Sequence, residues 1–148
     1  MTRKVTRSVA RIACGRQDKL VLGDLSAQID WGYAREYMET AWRILQLDRP
    51  DDFILATGEL HSVEEFVHEA YTAVKLNLKD CVVSDKSLFR PTKTSALVGD
   101  TTRARKAFGF EPKVRFKELV KIMVDADLET ERNLAVGMKA DVPGGGSQ

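Results

Sequence analysis

The sequence predicts an α/β fold that is rich in helix and carries a few short strands. Phe53-Ile54-Leu55-Ala56-Thr57 is a continuous run that closes on Gly58, the pattern of a strand covered on both faces. Ser62 and Glu65 then stand at capping-box spacing before the stripe Val63, Phe66, Val67, Ala70, Tyr71 and Val74, so a helix follows the strand. Two further apolar runs, Leu20–Leu22 and Cys81–Val83, lie between helical stripes and read as short strands. A chain of 148 residues is long enough for one core, burying roughly two-thirds of the surface its unfolded form exposes. One α/β domain is expected over residues 1–134, with too few strands for a full doubly wound sheet.

Taken in order, Val5, Val9, Ile12 and Ala13 recur at helical spacing, and Gly15 stands where a C-terminal cap is expected. Gly23-Asp24 turns the chain after the first strand. Tyr33, Tyr37, Ala41, Ile44 and Leu45, widened by Met38 and Trp42, predict a helix from Tyr33 to Leu47 that Pro50-Asp51 stops. Proline keeps Phe89-Arg90-Pro91 extended, which makes that segment loop. Asp100 can cap a short helix through Ala107 that Gly109 closes, and Phe116, Leu119, Val120, Met123 and Ala126 mark a last long helix. Residues 135–148, ending in Pro143-Gly-Gly-Gly-Ser-Gln148, have no apolar period and are expected to be a disordered tail.

Composition excludes several classes. Lys and Arg total 23 against 22 Asp and Glu, so no broad positive field exists to hold a nucleic acid or an anionic membrane surface. No apolar run approaches the ~20 residues that cross a bilayer. Cys14 and Cys81 form no C-x-x-C pair and no Cys/His cluster at metal-ligand spacing, and no export signal is visible, so a reducing cytoplasm is expected and no metal.

Catalytic signatures are absent: the chain has no G-x-G-x-x-G or P-loop, no G-x-S-x-G elbow and no H-E-x-x-H. Tyr71 and Lys75 have the Tyr-x-x-x-Lys spacing of short-chain dehydrogenases, but Tyr71 lies on an apolar stripe and no glycine-rich loop precedes it, so it is assigned to the core. His61 and His68 are given solvated or capping roles. Trp42 belongs to a helical stripe and is read as core, whereas Trp31, in Ile29-Asp30-Trp31-Gly32, is read as facing a ligand. Arg3, Lys4 and Arg90 are candidates to grip a diphosphate, Arg90 foremost because a planar guanidinium holds two phosphate oxygens together.

Read together, Thr2-Arg3-Lys4, Leu22-Gly23-Asp24-Leu25, Asp30-Trp31-Gly32-Tyr33-Ala34, Pro50-Asp51-Asp52-Phe53, Ala56-Thr57-Gly58-Glu59, His61-Ser62-Val63, Phe89-Arg90-Pro91-Thr92 and Gly99-Asp100 form an ordered series. From about Thr2 to Leu128 it resembles the C-terminal, substrate-binding part of the GDP-mannose 4,6-dehydratases, which are extended short-chain dehydrogenases/reductases. The resemblance implies NADP and a Thr, Glu, Tyr and Lys catalytic group on an N-terminal Rossmann portion that this chain lacks. No cofactor and no catalytic residue are therefore expected here, and no activity from the chain alone. It also implies that Lys4, Leu22, Gly23, Asp24 and Arg90 line a GDP pocket, to which the reading of Trp31 adds a sixth residue. The segment Phe53–Thr57 would join the large sheet.

Departures from the family pattern bear on that pocket. Ile29 stands where an arginine would contact the diphosphate, Asp24 replaces the usual Asn, and Lys93 reverses the charge of a glutamate. Losing one charge-assisted hydrogen bond costs about 1.5–3 kcal/mol, so these changes weaken GDP-sugar affinity. Three functions are open at this point. One is a non-catalytic module binding GDP-mannose or GDP; another is an assembly module forming homo-oligomers through the former Rossmann-facing surface. The third is the substrate subunit of a split dehydratase, paired with a separate Rossmann-type chain.

Overall fold

A computed structural model describes residues 1–77, 81–89 and 96–140. Helix α1 spans Thr2–Ala13. It ends because Gly15 takes φ +66°, the left-handed conformation that costs glycine no Cβ clash. Strand β1 covers Leu20–Leu22 and β2 covers Gln28–Ile29. Helix α2 spans Ala34–Ile44. Strand β3, His61–Ser62, leads directly into α3, Val63–Ala73. Strand β4 covers Val82–Ser84, with one 3-10 turn at Lys86–Leu88. Helix α4 spans Thr102–Phe108 and α5 spans Phe116–Ala140.

The start of α3 follows from local chemistry. The Ser62 hydroxyl accepts from the Glu65 amide at 3.0 Å, and the Glu65 carboxylate accepts from the Ser62 amide at 2.6 Å. Two otherwise orphaned donors are thus satisfied reciprocally. At α4 the Asp100 carboxylate accepts from the Thr102 amide at 2.9 Å, and Gly109, at φ +67°, closes the helix.

Strands β1 and β4 pair in parallel, Leu20 against Val82 and Leu22 against Ser84. Strands β2 and β3 pair antiparallel, Gln28 against Ser62 and Ile29 against His61. Helices α1, α3 and α5 pack on one another. Val5 and Val9 of α1, Phe66, Val67 and Tyr71 of α3, and Val120 and Val124 of α5 share one apolar cluster with Leu20 and Leu22.

That helix layer also buries two carboxylates, Asp127 and Glu131 of α5. Asp127 accepts from the Thr6 hydroxyl at 2.7 Å and pairs with Arg3 at 2.9 Å. Glu131 is met by Arg7 at 3.6 Å, Arg11 at 3.2 Å and Arg16 at 2.6 Å. A buried carboxylate costs several kcal/mol of lost hydration unless several donors replace the water. Here the donors are Arg3, Arg7 and Arg11, one turn apart along α1, and Arg16 just beyond its end, all partly open to solvent.

Four expectations are corrected. Residues 53–57 form no strand: among the described residues no neighbouring strand offers them a ladder, and the Thr57 and Gly58 amides donate instead to the Asp30 carboxylate, each at 2.9 Å. Helix α2 is shorter than Tyr33–Leu47; Tyr37, Ala41 and Ile44 of its stripe are half-buried, whereas Met38, Trp42 and Leu45 are 67%, 62% and 80% exposed. Trp42 is therefore not core. The last helix runs to Ala140, past residue 135 where the tail was expected to begin; residues 141–148 lie outside the described residues. His61 is neither solvated nor a cap, because its ring lies flat on Phe116 with centroids 3.7 Å apart.

Candidate functional site

Parallel pairing of β1 with β4 sends both strands out of the sheet at the same end, so the turn Leu22-Gly23-Asp24 meets the segment that leads to Arg90. The Asp85 amide donates to the Leu22 carbonyl at 2.8 Å, and the Ser84 hydroxyl donates to the Gly23 carbonyl at 3.3 Å. A Cβ built on Gly23 would lie 2.7 Å from the Leu88 carbonyl oxygen, so only glycine permits this approach. The Asp24 carboxylate is engaged locally, accepting from the Ser26 amide at 2.8 Å and its hydroxyl at 2.7 Å. Asp85 likewise accepts from the Ser87 amide, opening the 3-10 turn, and the Ser87 hydrogen bonds hold its carboxyl below the usual carboxylate range. Phe89 is the last described residue before Arg90 and is exposed; Arg90 and Lys93 lie outside the described residues.

The other predicted site residues are dispersed around this junction. Lys4 is exposed on α1, next to Val5, which packs in the same cluster as Leu20 and Leu22 of β1. Arg3, the other α1 cation proposed for a diphosphate, is committed to Asp127. Trp31 is half-buried, tilted against Phe66 at 5.1 Å and stacked over Phe116 at 5.8 Å. It is a member of the aromatic cluster between α3 and α5, and the roles read for Trp31 and Trp42 are in part exchanged. Ile29, where the resemblance expects a phosphate-binding arginine, is exposed on β2.

Tyr71 is buried as expected, and its hydroxyl has no hydrogen-bond partner among the described residues. Desolvation, with the nearby Cys81 thiol adding to it, pushes its pKa up to about 12, the opposite of what a catalytic tyrosine needs. Among the described residues no cluster of His, Cys, Asp and Glu is placed to hold a metal. No helix among them is long and apolar enough to cross a membrane. Two surface clefts of about 260 and 280 Å³ lie elsewhere, one along α5 beside Leu128 and Arg132, the other between Glu36 of α2 and Phe110.

Two features of this region were missed from the sequence. Asp30 accepts the Thr57 amide and hydroxyl and the Gly58 amide, tying residues 57 and 58 to the end of β2. The ladder from α1 to α5 was readable in principle, since Arg3, Arg7 and Arg11 share the four-residue spacing of Asp127 and Glu131.

The fold is shared with solved enzymes. The structure of RMD from Pseudomonas aeruginosa complexed with NADPH superimposes with a TM-score of 0.77 at 19% identity, over 88% of this chain and 42% of that one. A dTDP-glucose 4,6-dehydratase from Bacillus anthracis in complex with NAD gives 0.68 at 20% identity, over 84% and 39%. This is the α/β, helix-rich fold of the extended short-chain dehydrogenases/reductases. Residues 1–123 match the family described as GDP-mannose 4,6 dehydratase, and the chain belongs to that family. It is 49% identical over 129 residues to GDP-mannose 4,6 dehydratase 1 of Arabidopsis thaliana, covering 87% of this chain and 36% of the relative. The human GDP-mannose 4,6 dehydratase is 40% identical over 149 residues, covering 89% and 40%. The chain thus spans well under half the length of these relatives.

Proposed function

We propose that this chain is the C-terminal, nucleotide-sugar-binding part of a GDP-mannose 4,6-dehydratase, a non-catalytic half whose pocket takes GDP-mannose or GDP. The observation that carries this reading is the parallel β1–β4 pair, which sets Leu22-Gly23-Asp24 against the segment entering Arg90. In open α/β folds ligands lie outside the carboxyl ends of parallel strands, and both strands end here. Lys4 and Arg90 supply the charge for the diphosphate, and Trp31 stiffens the adjoining aromatic cluster. NADP and the catalytic group belong, in this reading, to a Rossmann portion outside these residues. The two free cysteines, Cys14 and Cys81, agree with a reducing cytoplasm.

Calorimetric titration with GDP-mannose and with GDP tests the proposal. Heat of binding that Arg90→Ala abolishes or weakens at least about tenfold supports it. No heat at millimolar ligand, with the protein folded, removes it. Ile29 and Lys93 set the expected affinity well below that of relatives carrying arginine and glutamate there.

A second reading, an assembly module that forms homo-oligomers, is favoured by the exposed Met38, Trp42 and Leu45 of α2 and by the strand-like segment 53–57, which has no ladder partner among the described residues. Such surfaces left open to water promote association.

A further inference from the structure

Helix α1 begins without the devices that hold a first turn. Among the described residues no side chain caps it, and no acidic residue lies within the turn. Arg3 and Lys4 place two positive charges at the positive end of the helix dipole, an arrangement that favours fraying. The hold comes from α5. Asp127, 1% exposed, accepts from the buried hydroxyl of Thr6 at 2.7 Å and pairs with the guanidinium of Arg3 at 2.9 Å. These two anchors stand one turn apart and bracket Lys4 and Val5. Val5 packs in the apolar cluster, so Lys4 is an exposed cation on a turn fixed at residues 3, 5 and 6.

We infer that Asp127 is a positioning residue for Lys4: by gripping Arg3 and Thr6 together it holds the turn from which Lys4 meets the diphosphate of a bound nucleotide sugar. The inference rests on the nucleotide-sugar-binding reading above, in which Lys4 supplies charge to that diphosphate. A cation presented from an ordered turn binds an anion more tightly than one on a fraying turn, because binding then orders less of the chain. Asp127 also sets apart the two neighbouring cations. Its carboxylate neutralises Arg3 and leaves the ligand's charge to Lys4. Glu131, the second buried carboxylate of α5, engages Arg7, Arg11 and Arg16 farther along the chain and provides an internal comparison.

Calorimetric titration of the chain with GDP tests this. Asp127→Asn keeps the volume of the side chain and removes its charge; GDP affinity is expected to fall about three- to tenfold. Lys4→Met lowers it as well, and adding Asp127→Asn to Lys4→Met lowers it little further, because a residue acting through Lys4 has nothing left to act on. Arg11→Gln, which weakens the Glu131 end of the ladder, lowers the urea midpoint and leaves GDP affinity unchanged. Where circular dichroism shows that Asp127→Asn does not fold, Thr6→Val takes its place in the same cycle. Full or higher affinity in Asp127→Asn overturns the inference, a gain meaning that the freed Arg3 grips the phosphates itself. Full affinity in Lys4→Met, additive losses in the double variant, or an equal loss in Arg11→Gln overturn it too. No heat from the parent at millimolar GDP removes the nucleotide-binding reading and this inference with it, whereas parent binding that Asp127→Asn leaves intact removes this inference alone.

Discussion

The hydroxyl of Thr6 donates to the carboxylate of Asp127 at 2.7 Å, a buried contact between the first and last helices across 121 positions of sequence. Thr6→Val keeps the shape and removes the donor, leaving Asp127 with the Arg3 ion pair among the described residues. A hydrogen bond to a charged group contributes about 1.5–3 kcal/mol, and that loss is expected in urea unfolding. A variant within about 0.5 kcal/mol of the parent would show that the contact contributes nothing.

Ser62→Ala removes one half of the capping box at the start of α3. The expected loss is about 1 kcal/mol of stability. The amide of Ser62 also holds the Glu65 carboxyl below its ordinary range, with the charge of His61 adding to this. A depressed carboxyl stabilises the fold above its unfolded pKa, and that contribution is lost as pH falls through the folded value. Glu65→Gln should therefore flatten the acid limb of the stability curve; an unchanged limb refutes the assignment.

Tyr71 places a hydroxyl in the core without a partner among the described residues. Tyr71→Phe should leave the urea midpoint unchanged or raise it, since the unpaired group already carries its desolvation penalty. Because the folded pKa is raised to about 12 from 10.0, stability attributable to Tyr71 is intact below pH 10 and drains away as pH rises from 10 to 12. The phenylalanine variant should lack that alkaline decline. A fall in midpoint of the kind seen when a satisfied hydroxyl is removed would contradict the geometry.

Asp30→Ala takes away the acceptor of the Thr57 and Gly58 amides. Hydrogen exchange at those two amides should accelerate by roughly tenfold or more while the amides of α3 keep their protection. If all amides accelerate together, Asp30 supports the whole fold and not this segment.

Gly23→Ala introduces a Cβ 2.7 Å from the Leu88 carbonyl oxygen, which must move. Weaker GDP-mannose binding with little change in unfolding midpoint is expected. Full affinity in the variant would place the nucleotide elsewhere.

The helices were legible because each carries its own punctuation. Ser62 with Glu65, Gly15 and Gly109 act within one turn of the residues they terminate, and the structure uses all three. Strands depend on neighbours that local sequence does not contain. Phe53–Thr57 has a strand's composition yet finds no ladder among the described residues, whereas Gln28–Ile29 and His61–Ser62, with no such run, pair because Asp30 and the capping box bring them together. The two tryptophans show the same limit. Periodicity put Trp42 beside an apolar stripe but could not tell that the stripe's edge, with Met38 and Trp42, turns outward while Tyr37 packs inward, and the loop position of Trp31 concealed its stacking on Phe116. At the site, the turn Leu22-Gly23-Asp24 and the segment Phe89-Arg90-Pro91 were each legible as motifs. Their closeness comes from the β1–β4 register, a long-range fact.

The arginine ladder sets an order of events during synthesis. Arg3, Arg7, Arg11 and Arg16 leave the ribosome long before Asp127 and Glu131 exist. At ordinary elongation rates of about 5–20 residues per second the delay is on the order of ten seconds. Throughout that interval the nascent segment is strongly cationic beside polyanionic ribosomal RNA, and α1, though it can meet α3 and β1 earlier, completes its ion pairs only once α5 has emerged.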